Sequence, residues 1–297
     1  MAKSRKKNDH YSGIGGQAVI EGVMMRNKNR YAVAVRTPDN DVNVAVEEYV
    51  PFGPDNAIAK LPFIRGVFAF IDSMILAVKT LNYSAAFYEE EDLRQKRRQK
   101  KRLFDRILGD KAESVLSTIT VVFSLVFAIA LFMLLPYFIA SLLKQFIVSD
   151  TVIAIAEGVI RIVIFILYLL LISLMNDIKR TFMYHGAEHK CINCIETGNA
   201  LTLENVMKAS RQHKRCGTSF MFLVVFVSII LFMFIRVDEP ALRVVIRILL
   251  IPVISGISYE IIRLAGRSDN IFVRIISAPG LFLQKLTTKE PDESMAE

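Results

Sequence analysis

The sequence contains no tryptophan, three cysteines and four histidines in 297 residues. The cysteines all fall between Cys191 and Cys216, so a disulfide framework is not expected and the thiols should stay reduced. The first residues are polar and lack an apolar h-region, so no cleaved signal peptide is expected. No internal repeat is visible. The GIGG stretch is not followed by Gly-Lys-Ser/Thr, which excludes a phosphate-binding loop. Charge is missing over long stretches too. Val115 to Leu143 and Cys216 to Ile235 hold no charged side chain, and a helix crossing a bilayer core of about 30 Å needs about 20 apolar residues.

What is present is apolar. Hydrophobic residues make up 53% of the chain and mean hydropathy is +0.39, above what a soluble domain of this length reaches. Two further stretches are long enough to span but carry charge. Val152 to Met175 contains Glu157 and Arg161, four apart and able to pair on one helix face, with snorkelling at a helix end as the plain reading. Val244 to Ile262 contains Arg247 and Glu260. The expected fold is mainly α and polytopic: about four transmembrane helices, a small N-terminal α+β cytoplasmic segment and an interfacial helix.

Lysine and arginine set the orientation. KSRKK near the start, RQKRRQKKR (Arg94 to Arg102), Lys179 to Arg215 between the second and third spans, and Arg267, Arg274 and Lys285 at the end all belong to one side. The positive-inside rule puts both termini and the central loop in the cytoplasm. The net charge of +8 follows from that topology. Binding of anionic lipid, RNA or a ribosome is the competing use of the basic runs.

Residues 1–11 read as a disordered basic tail. Residues 12–106 read as a cytoplasmic or interfacial α+β segment, residues 107–266 as the membrane domain with a cytoplasmic loop at 176–215, and residues 267–297 as a cytoplasmic tail. In the second segment, glycines 13, 15, 16 and 22 permit sharp turns. YAVAVRTP and VNVAVEEYV alternate around Pro38-Asp39-Asn40-Asp41 as a β-hairpin does. Leu61 to Tyr88 has a helical pattern with Arg65, Asp72 and Lys79 at seven-residue intervals, which predicts an amphipathic helix on the membrane or packed on the spans. Glu89 to Arg106 reads as a solvated charged helix.

The sharpest chemical signal is HGAEH, His185 to His189. At i and i+4 of a helix, two imidazoles point the same way and can hold one divalent ion, zinc by its ligand preference. Glu188 between them is placed to take a proton from a water at the site; this is the inverted zincin order H-x-x-E-H. Catalytic zinc commonly has three protein ligands, and either His213 or Glu260 supplies a third. Cys191, Cys194, His213 and Cys216 together offer a structural Cys₃His site instead. Glu21, among glycines and apolar residues, is a candidate acid or base; Arg26 and Arg263 are candidates for an anionic substrate group.

GGQAVIEGVMMR, YHGAEHK, RCGTSF and GISYEIIR together resemble the YqhQ-like bacterial membrane proteins, a family of unknown function labelled as metal-dependent enzymes. The resemblance covers nearly the whole chain. It departs where Lys214 replaces a proline common before the Arg-Cys-Gly segment. It implies a multi-pass protein of a bacterial-type cell membrane that depends on a metal, and it marks Glu21, Arg26, His185, Glu188, His189, His213, Cys216 and Glu260 as motif positions. The expected activity is that of a zinc hydrolase at the cytoplasmic membrane interface. Its substrate is a peptide bond in a membrane-associated protein, or a lipid-linked ester or phosphate. The alternative is a non-catalytic membrane factor that docks RNA, a ribosome or a membrane complex through its basic runs.

Overall fold

The computed structural model describes residues 11–54, 56–88, 112–235, 237, 239–268 and 270–297. The basic runs Lys3 to Lys7 and Arg94 to Arg102, and the charged stretch 89–106, lie outside the described residues. The chain divides into two compact units, residues 1–84 with 168–297, and residues 85–167.

The first unit opens with a four-stranded antiparallel sheet in the order β1 (Gly15–Val19), β2 (Gly22–Asn27), β3 (Arg30–Arg36), β4 (Val42–Glu48). The expected hairpin is β3–β4, turned at Pro38 to Asp41 with Asn40 left-handed (φ 68). The glycine-rich opening, expected only to turn, forms a second hairpin. It reverses at Ile20–Glu21, where Glu21 is itself left-handed (φ 50). Gly22 is obligatory, because a Cβ there would lie 2.1 Å from the Ala34 carbonyl oxygen.

Alternation buries Val19, Met24, Tyr31, Val33 and Val35 on one sheet face. Helix α1 (Ile64–Ala85) covers that face. Gln17 donates to Thr80 at 2.6 Å, the Ile20 N–H to Ser84 at 3.1 Å, and Tyr83 to Asn43 at 2.8 Å. The evenly spaced charges of α1 all find partners elsewhere in the chain, Asp72 buried, Arg65 half-buried and Lys79 exposed. Arg65 holds Glu260 through two bonds of 2.7 and 2.5 Å, and Lys79 holds Glu47 at 2.7 Å. Asp72 is buried, where it takes Arg26 at 2.5 Å, the Tyr49 hydroxyl at 2.8 Å and the Phe52 N–H at 2.6 Å. The exposed side is left to Ile64, Ile71, Met74, Ile75, Val78 and Leu81.

The same unit contains α5 (Asn176–Glu196), α6 (Leu203–Lys208, capped by Thr202), α7 (Gly217–Phe234), α8 (Pro240–Leu249), α9 (Ile251–Ala265), α10 (Ile271–Thr287) and α11 (Glu293–Ala296). Helix α10 packs on α7 where Gly280 meets Ser219. Gln284, fully buried, donates to the His213 carbonyl at 2.8 Å and to Ser219 at 2.7 Å, and accepts from the His213 N–H at 2.9 Å.

The second unit holds α2 (Ala112–Ile129), a π-helical turn (Ala130–Leu134), α3 (Leu135–Leu142) and most of α4 (Asp150–Ser173). Glu157 and Arg161 pair at 2.7 Å as expected. They do so buried, not snorkelling at a helix end, and the Arg161 Nε–H donates to the Phe132 carbonyl of the π turn at 3.0 Å. Among the described residues, four helical stretches are long and apolar enough to cross a membrane: Thr118–Gln145, Asp150–Ser173, Gly217–Phe234 and Ala241–Ala265.

Candidate metal centre

Helix α5 carries His185 and His189 on one face, with ring centroids 4.4 Å apart. Each ring is held from behind. The His185 Nδ1–H donates to the Thr287 carbonyl at 2.9 Å, and the His189 Nδ1–H to the Arg211 carbonyl at 2.7 Å. A carbonyl oxygen only accepts, so each Nδ1 carries a proton and each Nε2 is turned toward the site, the backbone-held orientation that metal-binding histidines adopt.

Cys216 closes the group. Its Sγ lies 3.3 Å from His185 Nε2 and also accepts from the Thr218 N–H at 3.4 Å, capping α7. Among the described residues, His185, His189 and Cys216 are the metal-ligating side chains whose donor atoms all lie within 4.8 Å of one another. Zinc–nitrogen and zinc–sulfur bonds of about 2.0 and 2.3 Å, tetrahedrally arranged, separate two donors by about 3.5 Å. The set fits a divalent ion that accepts nitrogen and thiolate ligands.

Glu188 is buried beside it, with Oε2 3.4 Å from His189 Nε2 and 3.9 Å from His185 Nε2. Burial pushes its carboxyl up to about 7, against the opposing charges of His185 and Arg215. Its room is provided by Gly16 on β1: a Cβ there would stand 2.6 Å from Glu188 Oε1. Strand and helix run antiparallel, Glu21 meeting Arg180 and Tyr184, Gly16 meeting Glu188, and Ser12 meeting Glu196.

His213 neighbours this group, 5.8 Å from His189 between ring centroids, but its Nε2–H is directed to Glu196 at 3.3 Å. Burial pushes the His213 imidazole below its ordinary value. Burial alone would raise Glu196; hydrogen bonds from His213 and Ser12 and the charge of Arg215 outweigh it and hold the carboxyl at about 2. Glu260 is gripped by Arg65 and stands apart from the histidines' donor group, with Arg263 half-buried one turn on. Glu21 is paired with Arg180, and Arg26 with Asp72. Cys191 and Cys194 do not join Cys216 in a donor group among the described residues. Burial pushes the Cys191 thiol up to about 11 and Cys194 also upward.

The third donor drawn from the sequence was His213 or Glu260; among the described residues the ligand-type side chain grouped with the histidine pair is Cys216. Its signal was available: the residue opens an apolar helix and is one of three cysteines. The carbonyls of Thr287 and Arg211 carry no side-chain signal at all.

These features define a helical protein with four membrane-length apolar stretches and a His–His–Cys donor group next to a buried carboxylic acid. The family model described as "Protein of unknown function (DUF1385)" matches residues 61–297, and the chain belongs to that family. It is 35% identical over 290 residues to the uncharacterized protein YqhQ of Bacillus subtilis (strain 168), covering 95% of this chain and 88% of the relative. No solved structure matches it.

Proposed function

We propose that the chain is a metal-dependent hydrolase of peptide bonds working at the cytoplasmic surface of a membrane. The observation that carries this reading is the pair of imidazoles whose Nδ1–H groups are tied to backbone carbonyls, leaving both Nε2 atoms, Cys216 Sγ and Glu188 around one point. His185, His189 and Cys216 would hold a divalent ion there, and such an ion would supply Lewis-acid polarisation of a scissile carbonyl. Glu188 takes a proton from water as the water oxygen bonds to the carbonyl carbon, and delivers that proton to the leaving amine as the C–N bond breaks. Glu188, buried 3.4 Å from His189 Nε2, is placed to make both transfers.

The membrane setting is supported from two sides. Cys216 caps α7, itself of spanning length, so the donor group lies at the mouth of that helix. The lysine and arginine distribution puts this mouth and both termini on the cytoplasmic side. The outward apolar residues of α1 suit a helix lying along the bilayer surface.

The test is elemental analysis of the purified full chain together with hydrolysis of a pool of unstructured fluorescent peptides. Expected are about one metal ion per chain, its loss in His185→Ala and Cys216→Ala, and its retention in His213→Gln and Glu188→Gln, with hydrolysis abolished in Glu188→Gln. A metal-free protein, or full hydrolysis by Glu188→Gln, overturns the reading.

A further inference from the structure

A sheet of order β1-β2-β3-β4 has two edges, and one of them lies on the candidate metal centre. The hydrogen-bond phase of that edge can be worked out. The Arg36 N–H donates to the Glu21 carbonyl at 2.9 Å, while Gly22 stands opposite Val35. Val23, Met25 and Asn27 therefore bond toward β3, and Gly22, Met24 and Arg26 bond toward β1. Their partners Val19, Gln17 and Gly15 use their peptide groups on β2. Gly16 and Ala18, between them, turn N–H and C=O away from the sheet. Among the described residues these outward groups take no hydrogen-bond partner.

Exposed edges are usually blunted by lysine, proline or a covering element. β1 reads GGQAV, with no charge and no proline, and of its two outward residues Gly16 is exposed and Ala18 half-buried. A Cβ at Gly15 would meet nothing within 4 Å, whereas one at Gly16 would meet Glu188. The open edge and the buried carboxyl thus share one residue. The far edge, β4, has no such neighbour among the groups described above.

We infer that β1 is the docking strand for an extended polypeptide, which adds to the sheet as a fifth strand and brings a peptide bond up to Glu188, an assignment that rests on the hydrolase reading. A strand added there runs about 4.8 Å from β1. Its backbone exchanges hydrogen bonds with Gly16 and Ala18 whatever its side chains are. The substrate class is unfolded or locally extended polypeptide, selected by backbone shape, not by one side chain.

Ala18→Pro removes an outward N–H and leaves the β1–β2 ladder whole, a placement that edge strands tolerate. Binding is read by fluorescence anisotropy with labelled unstructured peptides of about ten residues, on the zinc-loaded full chain carrying Glu188→Gln so that nothing is turned over. Ala18→Pro should keep its zinc and melting temperature and bind at least about tenfold more weakly, the size of one good backbone hydrogen bond. On the unchanged Ala18 protein, N-methylation along the peptide should weaken binding at every second amide. Binding indifferent to Ala18→Pro, or N-methyl effects without alternation, overturns the docking strand. If Ala18→Pro does not fold, the N-methyl series decides. Alternating binding without cleavage by the wild-type chain overturns the hydrolase reading alone; cleavage without alternation overturns the docking strand alone.

Discussion

Gly16→Ala is the most diagnostic single change, because the adjacent Gly15→Ala is its own control. At Gly16 the new methyl would lie 2.6 Å from Glu188 Oε1, 2.7 Å from Glu188 Cγ and 2.9 Å from the Met24 carbonyl oxygen. Ordinary contact is about 3.5–4.0 Å, so either Glu188 or β1 must move by about 1 Å. Overpacking of this kind costs about 1–3 kcal/mol. At Gly15 there is open space and no positive φ, and alanine should stabilise by about 0.4–1 kcal/mol through the unfolded chain. Thermal unfolding in detergent with a chelator reads both, since metal would mask the difference. At about 2–4 °C per kcal/mol the two variants should melt several degrees apart. Combining Gly16→Ala with Glu188→Ala should recover about 1–2 kcal/mol of the loss, as neighbours in contact do not add. In the peptide assay Gly16→Ala should fall by about 10²-fold, the usual effect of misplacing a reacting group by about 1 Å. Equal damage from the two alanines, or the same cost with and without Glu188, would refute the contact.

Glu196 should govern acid stability. Its carboxyl is held at about 2 in the folded chain against an ordinary 4.5, so its contribution is present above about 4.5 and disappears as pH falls from there toward 2. Melting temperatures followed down this range should decline less in Glu196→Gln; parallel decline would sink the prediction. Asp72→Ala should destabilise by about 3 kcal/mol, since it strips Arg26, Tyr49 and the Phe52 N–H of their shared buried acceptor. A loss under about 1 kcal/mol in denaturant unfolding would mean that this network is solvated.

Much of the architecture could be read from apolar runs and charge spacing. Val115 to Leu143 and Cys216 to Ile235 announced helices because no charge interrupts them, and even the Glu157–Arg161 spacing predicted its pair. The orientation of α1 was harder. Its seven-residue charge spacing fixes a face, but not that the face meets Arg26, Glu47 and Glu260 from elsewhere in the chain, with Asp72 buried. The β1–β2 hairpin escaped notice because three glycines dilute its alternation. At the site, HGAEH was legible as a local i, i+4 pattern. Choosing a third donor was not, since the sequence puts His213, Cys216 and Glu260 all near the ends of apolar spans. Only packing sends His213 to Glu196, Glu260 to Arg65 and Cys216 to the histidine pair.

The peptide group that orients His185 lies 102 residues further along the chain. The same late stretch sets the Lys289 carbonyl against Gly186 and brings Glu290 to Lys190 at 2.6 Å. At synthesis rates of about 5–20 residues per second, the imidazole exists for roughly 5–20 s before the carbonyl that will aim it has been made. A nascent chain already displaying HGAEH therefore has a histidine whose ring is free to turn. Order of synthesis acts as a delay line, setting the making of the histidine pair apart in time from the fixing of the His185 ring.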